Sequence, residues 1–430
     1  MTDWQPRAEA VLAGGPGTFS KHWSRYPQGL APFGLVSGEG AFVTGTDGRT
    51  YLDTVGALGP NLLGYGHSAV VAAVQTEAAH GGSFSMVTPL EITTAELLCN
   101  LLPCAEMVRW CRNGTDATGM AVRLARAITG HRHGIFVGYH GGAMDSYGIT
   151  TDKRAGLLPV LAPYNHQLAW DSAVAQVEAF PAERDLACIM VEVPALPWGT
   201  LPTVLRQTLS HLQHLAGERG ALFILDEIVT FPRYGIHGAQ GLYHLTPDLC
   251  TVSKGIANGL PLAALVGPRR HMSRLNAGDI FGSWTFAGET TALAACTATL
   301  KTCRDTPALQ VLRQHGQRLG DVLQQVCWDY RLPASVLGNY ARIALRWRDL
   351  PGVATAAELR TLWLQEHARR GILHGIGVMF PAACWTEAIV QTLSDAATEV
   401  GLLIGEAIAA RRVQALLACP VINDVLSVRS

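Results

Sequence analysis

Ala221-Leu222-Phe223-Ile224-Leu225-Asp226-Glu227-Ile228 opens as an unbroken apolar run and closes on two acids. It follows a stretch in which Leu205, Leu209, Leu212 and Leu215 recur at helical spacing before Gly217 and Gly220. A helical pattern, a glycine-marked stop and a short run too apolar to alternate predict a helix followed by a strand buried on both faces. Two further runs end in the same manner: Ile189-Met190-Val191 closes on Glu192, and Leu249 to Val252 leads into Ser253-Lys254. Helical patterns and such runs alternate from about residue 60 to 300, which predicts an α/β fold with a doubly wound, mostly parallel sheet. Ligands of open α/β sheets collect outside the carboxyl ends of the strands, so three polar tips predict one shared site.

Two residues of that edge have complementary chemistry. Lys254 lies 28 residues after Asp226. A lysine amine condenses with an aldehyde, and a carboxylate keeps a pyridine-type ring protonated so that the ring can take up electrons. Taken singly, Asp226 reads as a helix cap and Lys254 as a surface residue. Their pairing on successive strand tips outweighs that reading in a chain with only four lysines, Lys21, Lys153, Lys254 and Lys301.

Two segments before this pair fit the same site. Arg112-Asn113-Gly114-Thr115-Asp116-Ala117 opens a stretch with Ala117, Met120, Ala121, Leu124 and Ile128 at helical spacing. A glycine and a threonine at a helix start leave amides and a hydroxyl for a phosphate, assisted by the helix dipole. Gly138-Tyr139-His140-Gly141-Gly142 follows the run Ile135-Phe136-Val137. An aromatic side chain at such a strand tip can stack on a flat ring, although a tyrosine in the core is the commoner occurrence.

The flanks are different. Up to about residue 55, glycines, prolines and the short runs Ala41-Phe42-Val43 and Tyr51-Leu52-Asp53 predict loops and a small sheet. Beyond residue 310, helical stretches and the strand candidate Ala341 to Leu345 predict a smaller domain. The expected organisation is an N-terminal arm and small-domain segment over 1–60, a large domain over 61–309 and a C-terminal small domain over 310–430.

Composition narrows the function. The 430 residues are 48% hydrophobic and 16% charged, with a net charge of -1, so no global field draws nucleic acid or an anionic membrane. Ten cysteines without a C-x-x-C pair predict neither a metal nor a disulfide framework, but small buried thiols in a reducing compartment. His131-Arg-His133 and His211-x-x-His214 lack companion ligands at metal spacing and read as solvated. Gly14-Gly15-Pro16-Gly17 lacks the context of a P-loop and reads as a flexible arm. The start MTDWQPRAEA lacks a signal-peptide pattern, and no run of 18 apolar residues occurs, so a cytoplasmic location is expected.

The ordered segments Asn-Gly-Thr-Asp-Ala (113–117), Gly-Tyr-His-Gly (138–141), Val-Glu (191–192), Leu-Asp-Glu-Ile-Val-Thr (225–230), Ser-Lys-Gly (253–255) and Thr-Phe-Ala-Gly-Glu (285–289) resemble class III aminotransferases. Within them the chain is similar to the branch of glutamate-1-semialdehyde aminomutase and its sugar-modifying relatives. The resemblance runs from about residue 30 to 300 and continues more weakly to the end, where Arg370 to His374 resembles a small-domain strand. It implies a pyridoxal-5′-phosphate (PLP) enzyme of fold type I, a large domain plus a small α+β domain built from both chain ends, and a homodimer. By resemblance, Lys254 carries the cofactor, Asp226 pairs with its ring nitrogen, Tyr139 and Ile228 pack on the two ring faces, and Glu192 supports the site. Gly114 and Thr115 would bind the phosphate, joined by Thr285 from the partner subunit.

Departures from the branch bear on substrate. Where the aminomutase has an arginine that clamps a carboxylate, this chain offers Lys21, a point charge without a bidentate fork. Its Gly-Ser-Trp-Gly-Pro is here Gly56-Ala57-Leu58-Gly59-Pro60, so Leu58 reshapes the expected pocket. Thr230-Phe231-Pro232-Arg233 keeps the branch's arginine, and the stretch after His140, Gly141 to Asp145, lacks a bulky aromatic. Lys21, Leu58, His140 and Arg233 are the substrate candidates. The expectation is amino-group transfer from an amine or amino-acid donor to a carbonyl acceptor, such as a sugar or aminocyclitol of secondary-metabolite or polysaccharide biosynthesis. A glutamate-1-semialdehyde aminomutase, a PLP-dependent epimerase and a non-catalytic PLP-fold binding protein remain as alternatives.

Overall fold

A computed structural model describes residues 4–141, 164–278, 280–375 and 377–423. The chain divides into two compact units. One comprises Met1–His67, Ala195–Gly199 and Gln310–Val425, and the other Ser68–Pro194, Thr200–Leu309 and Leu426–Ser430. The first crossing thus falls at 67/68 rather than at the expected 60/61. The short Ala195–Gly199 segment counts with the first unit because its backbone pairs there: Trp198 N–H donates to Val336 O at 2.9 Å and Gly338 N–H to Leu196 O at 2.6 Å.

Among the described residues the larger unit is built on a seven-stranded sheet. Its order is Met107–Cys111, Ala263–Gly267, Leu249–Val252, Leu222–Asp226, Leu186–Glu192, His133–Val137 and Asn165–Leu168. Only Ala263–Gly267 runs antiparallel to its neighbours; the other pairings are parallel. Leu222–Asp226 and Leu249–Val252 are buried at every position, as their unbroken apolar runs require of strands covered on both faces. Helix Pro202–Glu218 buries Leu205, Leu209 and Leu212. Helix Gly114–Thr129 starts from Asn113, whose side chain accepts from Asp116 N while Asp116 accepts from Asn113 N. It stops at Gly130, whose φ of 72° is the left-handed turn that glycine tolerates. Its inner face packs Met120, Ala121 and Leu124 with Phe136, Met190 and Ile224 of the sheet. Full burial of each large side chain there contributes roughly 1.5–3 kcal/mol. His133, expected to be solvated, instead begins a strand and shares a hydrogen bond with His166 at 2.9 Å.

The smaller unit has two sheets. Leu35–Glu39, Phe42–Gly45 and Thr50–Asp53 form an antiparallel meander, and Ile372–Leu373 adds in parallel beside Thr50–Asp53. Ala334–Asn339, Arg342–Trp347 and Val378–Met379 form the second, antiparallel throughout. Helices Ala308–Asp329, Ala356–Arg369 and Glu387–Ala409 supply a core with Leu323, Leu359, Trp363, Trp385 and Val400. Inside it His374 shares a 2.7 Å hydrogen bond with Thr54, and the His367 and His374 rings meet edge to face at 4.4 Å. Burial pushes the His367 imidazole down to about 4, and that of His374 well below its ordinary value.

Candidate active site

The strand register brings the predicted tips together. Val137 pairs with Val191, Glu192 with Asp226, and Asp226 with Thr251, so four adjacent parallel strands end at one level. Lys254 follows two residues after the last of them, in a left-handed backbone with φ of 47° and a half-buried side chain. A non-glycine residue there is strained, a condition that recurs at functional sites.

Asp226 is 2% exposed, and three donors hold its carboxylate. Oδ2 faces His140 Nδ1 at 2.7 Å, while Oδ1 accepts from Ile228 N at 3.1 Å and from the Thr251 hydroxyl at 3.2 Å. A carboxylate offers about four lone-pair positions, so this clamp leaves one acceptor position for a further N–H. The other nitrogen of His140, Nε2, lies 3.2 Å from Val137 O. A carbonyl oxygen only accepts, so Nε2 carries hydrogen and Nδ1 shares a proton with Asp226. His140 O in turn accepts from the Thr118 hydroxyl at 2.9 Å.

The remaining candidates of the larger unit have the following surroundings. Tyr139 is 46% exposed at the end of its strand, with its amide donating to Glu192 Oε2 at 3.0 Å. Burial and the neighbouring Glu192 carboxylate push its phenol up. Gly138 adopts a φ of 100°, and a Cβ there would lie 2.8 Å from the Glu192 Cβ, so a larger residue would part the two strand ends. Ile228 is half-buried and packs against Gly114, where an added Cβ would lie 2.7 Å from Ile228 Cδ1. Gly114 and Thr115 are the first two residues of their helix, whose cap serves the amide of Asp116. The first amides of a helix lack intrahelical acceptors and suit an anion. The groups that a flat phosphorylated ring with an N–H would need, Tyr139 and Ile228 for its faces, the amides of Gly114 and Thr115 for its phosphate and Asp226 for its N–H, all belong to the larger unit. Thr285 is exposed in the segment that precedes helix Thr290–Asp305.

Two substrate candidates are corrected by their surroundings. His140 is 1% exposed and is spent on Asp226, so it supports the carboxylate rather than facing a substrate. Arg233 is 2% exposed, and burial pushes its guanidinium down to about 10, the mark of an interior residue. The other two lie in the smaller unit. Lys21 is exposed, and with Leu58 it lines a cavity of about 290 Å³ that also has Tyr26, Phe33, Asp53 and Tyr65 in its wall. Gly56, Ala57, Leu58 and Gly59 all take positive φ, from 52° to 94°, in a turn pinned by Asp53, which accepts from the amides of Val55 and Gly56. Of the stretch Gly141 to Asp145, residues 142–145 lie outside the described residues, as does Lys153.

Sequence reasoning missed Thr251 and Thr118, which hold Asp226 and His140. It also passed over Glu227. This carboxylate, wholly buried, accepts from the Thr230 hydroxyl, the amides of Ala239 and Gln240, and the Gln240 side chain. Strand alternation was the available signal, because Asp226 and Glu227 must point to opposite sides.

The class-III aminotransferase family model matches residues 26–345. The chain belongs to the class-III aminotransferases. This class-III protein is 41% identical over 297 residues to a glutamate-1-semialdehyde 2,1-aminomutase of Roseiflexus castenholzii, covering 64% of this chain and 66% of that protein. It is 36% identical over 348 residues to the protein of that name from Chloroflexus aggregans, covering 77% and 78%. A solved transaminase with PLP bound superposes with a TM-score of 0.81 at 26% identity, covering 95% of this chain and 97% of the other. The class-III protein is accordingly a PLP-dependent enzyme of fold type I. Among the described residues no helix is long and apolar enough to cross a membrane.

Proposed function

We propose that the chain moves an amino group from an amine or amino-acid donor to a carbonyl acceptor, with Lys254 and Asp226 at the reacting centre. The observation that carries this reading is the three-donor clamp on Asp226, which leaves one acceptor position free, one strand from Lys254. PLP, when bound, supplies an aldehyde carbon that exchanges amines and a ring that takes up electrons as a neighbouring C–H bond breaks. Asp226 accepts from the ring nitrogen and keeps a proton there. His140, Thr251 and the Ile228 amide hold Asp226 for that task. Tyr139 and Ile228 cover the ring faces, Glu192 anchors the Tyr139 backbone, and the Gly114 and Thr115 amides with the Thr115 hydroxyl bind the phosphate. Lys254 Nζ would hold the aldehyde carbon and, where free, would take the proton from the substrate carbon that bears nitrogen.

Lys21 and Leu58 are the proposed substrate-recognition residues. Their cavity offers an ammonium and two phenols beside the apolar Phe33 and Leu35, with the Asp53 carboxylate of its wall engaged by Tyr65 and the turn amides. Such a wall suits the hydroxyls of a sugar or aminocyclitol better than it suits a carboxylate seeking a guanidinium fork. The second reading, a 2,1-aminomutase acting on glutamate-1-semialdehyde, is favoured by the identities of 41% and 36% with proteins of that name.

The protein acts as a homodimer in this reading, with Thr285 completing the phosphate site of a second copy. Phe281 and Phe286 flank Thr285 and are 78% and 56% exposed. Met86 and Val87, also exposed, belong to a segment tied to Thr290 through its bond to Gly82 O at 2.9 Å. Apolar exposure of this kind marks an association surface.

The test is the visible absorption of PLP-loaded wild type and Lys254→Ala, followed by addition of candidate amines. A lysine-dependent band that bleaches with a donor and returns with a keto-sugar supports the proposal. Conversion of glutamate-1-semialdehyde without any donor would replace it by the aminomutase reading. Lys254→Ala should lose turnover by about 10³-fold or more while keeping its far-ultraviolet circular dichroism.

A further inference from the structure

A second cavity of the smaller unit has no part in this chemistry. It measures about 460 Å³ and lies between the end of helix Ala308–Asp329, the Pro197-Trp198 segment and the antiparallel sheet that begins at Ala334. That volume falls within the range of small-molecule sites. Two indoles and two guanidinium groups line it: Trp198, Trp328, Arg331 and Arg348.

Trp328, Trp198 and Arg331 are each set in a distinctive way. Trp328 is 73% exposed, an unusual state for so large an apolar surface. Trp198 is held in place: its Nε1–H donates to Asp321 at 2.9 Å, and its ring rests on Gly320, where an added Cβ would come within 2.0 Å. Arg331 follows the helix in a left-handed backbone with φ of 50°. Leu332 N–H donates to Cys327 O at 2.9 Å and Arg331 N–H to Trp328 O at 3.1 Å, the pattern of a helix stop at which glycine is the favoured residue. Arginine there keeps a guanidinium at the cavity at the expense of backbone comfort.

Neither Arg331 nor Arg348 has a carboxylate within salt-bridge distance among the described residues. The acids nearest in sequence are engaged elsewhere: Asp321 by Trp198 and Gln317, Asp329 by Gln325, and Asp349 by the amide of Ala356. Two cationic forks without anions beside two indole faces have a natural complement. Guanidinium groups bind carboxylate or phosphate, and indole faces take flat rings.

We propose that this cavity is a second ligand site, for a small molecule that joins a flat aromatic ring to a carboxylate or phosphate. Trp198 and Trp328 take the ring, and Arg331 and Arg348 take the anion. The proposal does not rest on the amino-transfer reading, because all of its residues lie in the smaller unit.

Isothermal titration of the full PLP-loaded chain with adenosine 5′-monophosphate, 1-naphthoate, adenosine and inorganic phosphate tests it. Saturable binding of the nucleotide above the naphthoate identifies an aromatic phosphate as the ligand, and the reverse order an aromatic carboxylate. Adenosine and phosphate alone should bind at least about tenfold more weakly than the better of the two. Arg331→Gly combined with Arg348→Gln, and separately Trp328→Ala, should each weaken binding by about tenfold or more with circular dichroism and the cofactor band unchanged. Arg331→Gly is chosen because it keeps the left-handed turn. Absence of binding by both aromatic anions at millimolar concentration, equal binding of adenosine, or unchanged affinity in the double variant would overturn the site.

Discussion

Two buried aspartates close strands in the two units, and they are furnished in opposite ways. Asp226 ends Leu222–Asp226 with an imidazole at 2.7 Å, a hydroxyl and one amide on its carboxylate. Asp53 ends Thr50–Asp53 with the Tyr65 phenol at 2.6 Å and the amides of Val55 and Gly56. The first has a group beside it that itself exchanges protons; the second has only neutral donors, and burial pushes its carboxyl up. Burial and hydrogen bonding are alike at the two positions, so neither distinguishes a chemical aspartate from one that pins a turn. The partner's own chemistry does.

Replacing each by asparagine is the harshest test of that distinction. Asp226→Asn should lower kcat for amino transfer by roughly 10²–10³-fold, since a neutral amide no longer favours a proton on the ring nitrogen. Asp53→Asn should leave kcat within about tenfold and change stability by about 1 kcal/mol. The two also differ in pH response. Asp53 binds its proton more tightly when folded, so its contribution to stability falls as pH rises from its unfolded value near 4 through its raised folded value. Asp53→Asn should remove that decline in denaturation midpoints, and equal losses of activity in the two variants would dissolve the comparison.

The smaller unit should respond to acid in the other direction through its histidine pair. His367 and His374 are buried with depressed affinity for protons. Their stabilising neutrality is fully present above about pH 6.5 and is lost as pH falls from there toward 4, where His367 itself titrates when folded. His367 alone should cost about 3 kcal/mol over that interval. Urea midpoints between pH 7 and 4 read the effect, and a His367→Gln variant with the same slope would refute it.

A milder substitution sharpens the account of the Asp226 side. His140→Gln keeps a donor near Oδ2 but cannot share a proton with it, so kcat should fall by about tenfold with KM little changed, and the pH profile of kcat should shift. A merely structural role would lower stability and leave the profile where it was. The smallest effect is expected at the helix stop: Arg331→Gly should raise stability by about 1 kcal/mol, measured as a higher Tm, because glycine adopts the left-handed turn without strain.

How much of this was legible in the residues follows from what each signal reports. Apolar runs that lead into Glu192, Asp226 and Lys254 announced buried parallel strands, and the register brings their ends to one level. The run Ala341 to Leu345 and the leucines of 205–212 likewise became elements, at Arg342–Trp347 and Pro202–Glu218. Roles that depend on register were hidden. Thr251 matters because it stands across from Asp226, a relation that exists only once two strands are paired. His140 and Arg233 read as substrate residues because they stand in segments that resemble the branch, yet the chain folds both side chains inward. The Ala195–Gly199 segment joins the smaller unit through two backbone bonds, which no side-chain pattern announces.

Glu227 has a consequence for how the Asp226 platform can come apart. Its sealed carboxylate ties Thr230 and the start of helix Gly238–Tyr243 back to the end of the central strand. Loosening any one of those bonds leaves a charge deficit in a place without water, and burial already pushes this carboxyl up. The span from Ile228 to Gly238, with Arg233 inside it, is therefore held like a clasp rather than a spring. It gives way all at once or stays shut, and ordinary thermal breathing should spare Ile228, the residue proposed to cover one face of the ring.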